Sequence, residues 1–424
     1  MKVIIVGAGL TGLATAHELN KSGHQVTLLE ASDKPGGLAA GFKAPGWQWE
    51  LEYHYHHLFQ TDKDIAKLLQ ACGLLDNLLF KSVKSSILRA GKQFAFDSPL
   101  SVLLCPILNW WSKVRVGLTM AFLKFNPFWR PLESITAHQF LRLTMGEQAY
   151  RDLWQTLFAG KFGRFHETVN AAWFWARVYV RTPQLGYYQG GFGQMARDIA
   201  NYLIKHGVEI KYNQKVAKVS IKNSRPVIKL TTGETYQADK VLLAMPSPVL
   251  EKLIPDLPRD YVEKLHQLKG LGAQTMVLEL TQPFFTDQTY WLSINESKWP
   301  VLAVVEHTQF QDKANYDHKH LVYVGKYLEA TSDQYQLTDA RLLDLYHPYL
   351  EKLSPGYRRY LNRFFVFKTP FAQPVVGLNH SRQLPSVATP LPSVYWASMQ
   401  HIYPYDRGMN YAVALGVQVA HDMI

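Results

Sequence analysis

Along the first thirty residues an unbroken apolar run gives way to a helical period. Val3–Val6 is continuously apolar, as befits a parallel strand covered on both faces. Leu13, Ala16 and Leu19 then recur at helical spacing, with His17 and Glu18 outward, and Gly23 closes that helix. Val26–Leu29 is a second short strand, closed by Glu30. Beyond it, "DIAKLLQACGLLDNLL" (64–79) is amphipathic, and residues 76–185 read as mostly helical. From about 251 to 375 the pattern turns to strands: "AQTMVLEL", "YWLSIN", "WPVLAVVEH" and "HLVYVGKYLEA" alternate or are β-branched. "KGLGAQ" (269–274) has no strand before it and no apolar helix after it, so it reads as a turn. The expected class is α/β, with an α+β second part.

The first unit carries chemistry. Gly7, Gly9 and Gly12 stand as G-x-G-x-x-G between strand and helix. Gly7 permits the tight turn, Gly9 lets backbone approach a pyrophosphate, and Gly12 lets the helix pack close to the strand. The helix N-terminus then faces phosphate charge. Glu30 follows at the end of the second strand, where a carboxylate accepts hydrogen bonds from a ribose diol. An acid there also disfavours a 2′-phosphate.

"EASDKPGGLAAGF" (30–42) follows, and with it the chain resembles the flavin-dependent amine oxidase superfamily. That group includes protoporphyrinogen oxidases, phytoene desaturases and, more distantly, UDP-galactopyranose mutase. The matching positions are Glu30, Lys34, Gly36 and Gly37. Family members usually have arginine at the position of Lys34 and often at Leu38. "GGFGQMARDIANYLIKHGVEIKYNQKVAKV", "DKVLLAMPSPVLEKLIP" and "YWASMQHIYPYDRGMNYAVALGVQVAHDMI" are similar to later family segments, although Ala397-Ser398 stands where Gly-Asp is common.

The resemblance implies a Rossmann-like FAD domain of the glutathione-reductase type, discontinuous over 1–75, 186–250 and 376–424. It implies a substrate domain over 76–185 (helical) and 251–375 (sheet). The implied cofactor is FAD, held by Gly7, Gly9, Leu10, Thr11, Gly12, Glu30, Ala31, Lys34, Gly36, Gly37 and Leu38. Val216 would meet the adenine, and Gly408, Met409 and Asn410 the flavin. No cysteine follows Cys105, so the C-terminal cysteinyl linkage of some amine oxidases cannot form, and the expectation is non-covalent FAD.

"ELEYHYHHLF" (50–59) concentrates His54, His56 and His57 beside two glutamates. Strand alternation would put Glu50, Glu52, His54 and His56 on one face and Tyr53, Tyr55 and His57 on the other. A metal site would need ligands from elsewhere, and no metal is expected. The other readings are hydrogen-bonded histidines that support the loop, and a flavin or substrate contact by His57 or His56. His57 is favoured, because "HHLFQTD" resembles the histidine loop of UDP-galactopyranose mutase.

Lys326 lies in the strand region; some amine oxidases hold a lysine that binds a water at the flavin, but no local motif assigns that role here, and the favoured reading is an edge-strand cation. Tyr403, Tyr405 and Trp396 are candidates for lining a pocket. Arg177 and Arg181, one helical turn apart, are loose candidates for a diphosphate clamp.

Composition narrows the partners. The 424 residues carry a formal charge of +11 without a run of like charges, which favours anionic small molecules over nucleic acid. Two cysteines without a C-x-x-C pair fit a reducing compartment. The apolar N-terminus mimics a signal peptide, but its glycine spacing has the better account, and a cytoplasmic protein is expected. Ser98–Ser112, the longest uncharged run, falls short of the roughly 20 residues that a bilayer span needs. Residues 99–130 are rich in Trp and Phe beside Lys and Arg. They fit a buried helical domain with snorkelling cations, the favoured reading, or a peripheral helix on the inner face of a membrane. Oligomeric state is not set by the sequence.

The expected activity is FAD-dependent removal of hydride from a C–H or C–N position of a bulky or apolar substrate. The alternatives are a redox-neutral enzyme of the mutase type and a non-catalytic FAD-bound scaffold.

Overall fold

The computed structural model describes residues 1–96, 101 and 104–424. Strand β1 (Lys2–Val6), helix α1 (Leu10–Lys21) and strand β2 (Gln25–Leu29) form the first unit. Both strands are buried after their first residue, which is why their apolar runs are continuous. His17, expected outward, is buried against Tyr202.

A five-stranded, wholly parallel sheet runs in the order Glu209–Lys211, β2, β1, Lys240–Ala244, Val394–Ala397. Segments from both ends and the middle of the chain thus bring their C-terminal ends to one edge, where ligands bind in such sheets. On one face α1 packs against the last helix, Met409–Met423. The contact is close: a Cβ on Gly416 would lie 2.5 Å from the Thr11 carbonyl oxygen. Thr15 Oγ1 donates across it to the Gly416 carbonyl at 2.9 Å.

A second sheet has seven strands. Leu361–Pro374, Gly270–Leu280, His320–Leu328, Ala303–Glu306 and Thr289–Ile294 are antiparallel neighbours in that order; Lys84–Arg89 and Lys92–Ala95 extend it. Helices Trp110–Phe125, Ala137–Met145 and Ala171–Tyr179 share a core of their own.

Two further expectations are corrected. Residues 78–95 are extended rather than helical: Leu78–Ser82 pairs with Gln184–Tyr188, and Lys84–Arg89 joins the large sheet. Ala90 and Gly91 (φ 52° and 70°) make the two-residue turn into Lys92–Ala95. "AG" between short runs was the available hairpin signal. The second correction concerns "KGLGAQ", which begins the strand Gly270–Leu280. Its glycines admit the neighbouring strand, since a Cβ on Gly272 would lie 2.8 Å from the Thr369 carbonyl oxygen.

Candidate cofactor cleft and cavity

The turn after β1 closes tightly. Gly7 has φ +108°, and a Cβ on Gly12 would lie 2.0 Å from the Gly7 carbonyl oxygen. Gly9 begins α1 without a side-chain cap and without an acidic residue in the first turn, so the amides there, with Leu10 and Thr11, are left for a ligand. Gly9 bridges Gly36, and a Cβ on Gly37 would meet Gly9 Cα at 3.3 Å. Two backbone stretches therefore approach with nothing between them.

Glu30 stands at the end of β2. Its carboxylate accepts from the Ala8 N–H at 2.7 Å and from the Ser32 N–H and hydroxyl at 2.9 and 2.8 Å, just past Ala31. The Gln214 N–H donates to the Glu30 carbonyl at 2.8 Å, which pins the start of the strand Val216–Lys222 beside the acid. Val216 itself is buried with Val6 and Leu29. Lys34 turns inward, donating to the Gly41 carbonyl and lying over the Tyr53 ring at 5.6 Å.

Leu38, immediately beyond Gly37, lines a small cavity with His54, Tyr55, His56, Thr275, Lys326, Tyr327 and Arg407. The histidines of 50–59 are thereby redistributed. Only Leu51–Glu52 and Leu58–Phe59 are paired strand, and the chain bends between them, so strict alternation fails. Glu52 is the cause. Its carboxylate accepts from Tyr187 Oη and the Phe192 N–H, and its carbonyl accepts from Tyr323 Oη at 2.8 Å instead of from a ladder.

His54, expected to point away with the glutamates, reaches the cavity instead. Both its ring nitrogens are engaged, by Thr275 at 2.7 Å and Thr369 at 2.8 Å. His56 Nδ1 donates to the His54 carbonyl at 2.6 Å, leaving Nε2 as its acceptor. Burial pushes His54 down to about 3 and His56 to about 4, so both are neutral near pH 7. His57, favoured from sequence, is not on the cavity wall. It packs edge-on to Phe59 and Trp291 with Nδ1 unpartnered among the described residues.

Lys326 is not an edge cation. Its strand lies between two others, and the side chain lines the cavity, more than half buried, with its pKa lowered by burial and no hydrogen-bond partner among the described residues. Sequence reasoning missed Arg407. Its guanidinium bonds Tyr327 Oη and Gln373 Oε1. Burial pulls its pKa down, but Tyr327, Asp406 and Tyr55 outweigh that and hold it charged. Asp406 accepts from Arg177 at 2.7 Å and contacts Lys161 at 3.3 Å. Burial would raise that carboxyl, yet Lys161, Arg177 and Arg407 hold it well below the ordinary range. "YDRG" was the available signal: an acid-base pair at the entrance to the last helix.

The remaining candidates disperse. Arg177 is committed to Asp406, so a two-arginine clamp with Arg181 is not free to form. Tyr403 is held by Glu133 and Asn170 at 3.1 and 3.0 Å, against Trp129. Tyr405 stacks on Tyr411 at 4.5 Å, and Trp396 is core, donating to the Met245 carbonyl. Gly408 begins the last helix without a side-chain cap, Met409 is buried, and Asn410 Oδ1 caps another helix, α2 (Lys63–Ala71), at 2.8 and 3.0 Å. Only the backbone of Asn410 is left to face a ligand.

Glu52 also sets a pH dependence. Burial raises its pKa from 4.5 to about 7, against the bonds from Phe192 and Tyr187. The folded carboxyl stays neutral up to that point, while the unfolded chain ionises near 4.5. The stabilisation is therefore complete below 4.5 and lost as pH rises through 7. Its ceiling is roughly 3 kcal/mol. Glu52→Gln keeps the acceptor and removes the titration. Thermal melts should show the variant gaining on the parent across that window, and parallel curves would refute the assignment.

The glycine turn adjoins the Gly36-Gly37 segment, and Leu38, next along it, lines the cavity together with Arg407, the residue before a second uncapped helix. The chain is a flavin-dependent oxidoreductase. It belongs to the family of flavin containing amine oxidoreductases, whose model matches residues 10–424. The cofactor of that family is FAD. The chain is 23% identical over 458 residues to the 15-cis-phytoene desaturase of Arabidopsis thaliana, covering 98% of this chain and 78% of the relative. A cofactor-binding variant of putrescine oxidase shares the fold at TM-score 0.77 and 19% identity, over 100% of this chain and 98% of that one. Reduced UDP-galactopyranose mutase does so at 0.77 and 14%, over 99% and 94%.

Proposed function

We propose that the chain oxidises a bulky apolar substrate by removing hydride from a C–H position, rather than oxidising a protonated amine. The carrying observation is the charge of the cavity. Lys326 and Arg407 line it, and among the described residues no carboxylate does. The nearby acid, Asp406, is already shared among Lys161, Arg177 and Gln373. An alkylammonium ion would meet like charge in a poorly solvated space, whereas a neutral hydrocarbon or an anionic ring system would not. The similarity to a phytoene desaturase, a relative acting on a polyene, supports the same direction.

Bound FAD supplies the hydride acceptor. Lys326 and Arg407 give the cavity positive potential, which favours the electron-rich reduced form of the cofactor. Neutral His54 and His56 add hydrogen-bonding groups without further charge. Gly7, Gly9 and Gly12, with Gly36, Gly37 and Glu30, would hold the dinucleotide, and Val216 would border its adenine. The mutase alternative is weakened because Arg177 is engaged with Asp406.

The test is anaerobic bleaching of the flavin absorbance by a panel: an isoprenoid polyene, a porphyrinogen, a primary amine and a UDP-sugar. Bleaching by the polyene or porphyrinogen is expected. Bleaching by the amine alone would overturn the reading.

A further inference from the structure

The helix Trp110–Phe125 is inside out. Its buried positions are Ser112, Val116, Thr119 and Leu123, two of them hydroxyls. Its outer positions are larger and more apolar: Trp110 is 75% exposed, Trp111 67%, Leu118 68%, Phe122 50% and Phe125 82%, and Phe128 in the turn beyond is 74% exposed. Residues 111, 118, 122 and 125 recur on one face. Among the described residues, every exposed tryptophan and phenylalanine lies in this one stretch.

The helix is firmly docked, so the exposure is not that of a loose segment. Asn109 caps its first turn through the Ser112 N–H at 2.8 Å. Lys124 Nζ donates to the carbonyls of Tyr179 and Arg181 at 2.9 and 2.8 Å, and Trp175 Nε1 donates to the Asn126 carbonyl at 2.7 Å. No helix among the described residues is long and apolar enough to cross a membrane.

Charge selects the occupant. Between Asp97 and Glu133 the chain carries Lys113, Arg115, Lys124 and Arg130 and no acid. None of the four has a carboxylate partner among the described residues. An apolar aromatic face flanked by cations that no carboxylate neutralises matches a helix lying in the interface of an anionic bilayer. A second copy fits poorly, since a two-fold contact would set the same four cations against themselves.

We propose that this face seats the protein on an anionic lipid surface. The surface lies one helix from the cavity wall: Lys124 holds the end of Ala171–Tyr179, and that helix sets Arg177 against Asp406, next to Arg407. The proposal does not depend on the substrate reading above.

The test is flotation of the FAD-loaded protein with vesicles of phosphatidylcholine alone or mixed with phosphatidylglycerol. Binding to the mixed vesicles, weakened by salt, is expected. The triple variant Leu118→Ser, Phe122→Ser, Phe125→Ser should bind them at least about tenfold more weakly, with unchanged FAD content and melting temperature. Lys113→Glu with Arg130→Glu should lose at least roughly fivefold per cation. The proposal is overturned if the parent floats with neither vesicle or if the triple variant binds as well as the parent. A parent dimer that the triple variant dissolves would also overturn it and assign the face to a second copy.

Discussion

Gly12→Ala should strip the protein of FAD and destabilise it toward the upper end of the roughly 1–3 kcal/mol typical of overpacking. The added Cβ would lie 2.0 Å from the Gly7 carbonyl oxygen and 3.3 Å from Ile5 Cγ2. Helix α1 cannot back away, because the last helix already touches it at Gly416, where a Cβ would come within 2.5 Å of the Thr11 carbonyl oxygen. Relief must come from the turn itself, whose amides lie at the proposed phosphate site. Flavin-to-protein absorbance after purification should fall more than about tenfold, as loss of charge-assisted amide contacts worth roughly 1.5–3 kcal/mol implies. Gly23→Ala is the control. Its Cβ meets nothing within 4 Å, and only φ +79° counts against it, a cost of about 1 kcal/mol with FAD retained. A Gly12→Ala protein that purifies with full FAD would refute the cradle.

Lys326→Met should lower the reduction potential of the bound flavin by about 30–65 mV, equivalent to losing one charged contact of roughly 1.5–3 kcal/mol in a two-electron couple. The sign follows from charge: a cation on the cavity wall stabilises the reduced cofactor, and methionine keeps the bulk without it. Burial lowers the Lys326 pKa, so the parent potential should lose this contribution at a lower pH than an exposed lysine would allow. Equilibrium reduction against a reference dye measures both. Equal potentials in parent and variant at every pH would remove Lys326 from the cofactor's surroundings.

The sequence by itself determined the first strand–turn–helix–strand unit. Strand, turn, helix, second strand and acid are contiguous, and each obeys a local rule: an apolar run, three glycines, a helical period, an acid where the second strand ends. The strands at Gly270–Leu280, Thr289–Ile294 and His320–Leu328 were equally legible from their β-branched runs. Where two local signals competed, the reading failed. The short hairpin within 84–95 disappears into a stretch of helical pattern, and the two glycines that open a strand carry the composition of a turn.

Only the tertiary structure decided the cavity. Leu38, His54, His56, Lys326 and Arg407 meet there from four distant segments, and no local pattern records that meeting. The histidines show why. Alternation assigns faces only while a strand keeps its ladder, and here Tyr323, far along the chain, takes the Glu52 carbonyl. The chain bends, His54 and His56 swing onto the cavity wall, and His57 leaves it. Likewise, Trp110–Phe125 reads from composition as an ordinary buried helix. Its exposed side emerged only when its neighbours packed against the hydroxyl-bearing face, since periodicity places residues on faces but does not say which face the rest of the chain will cover.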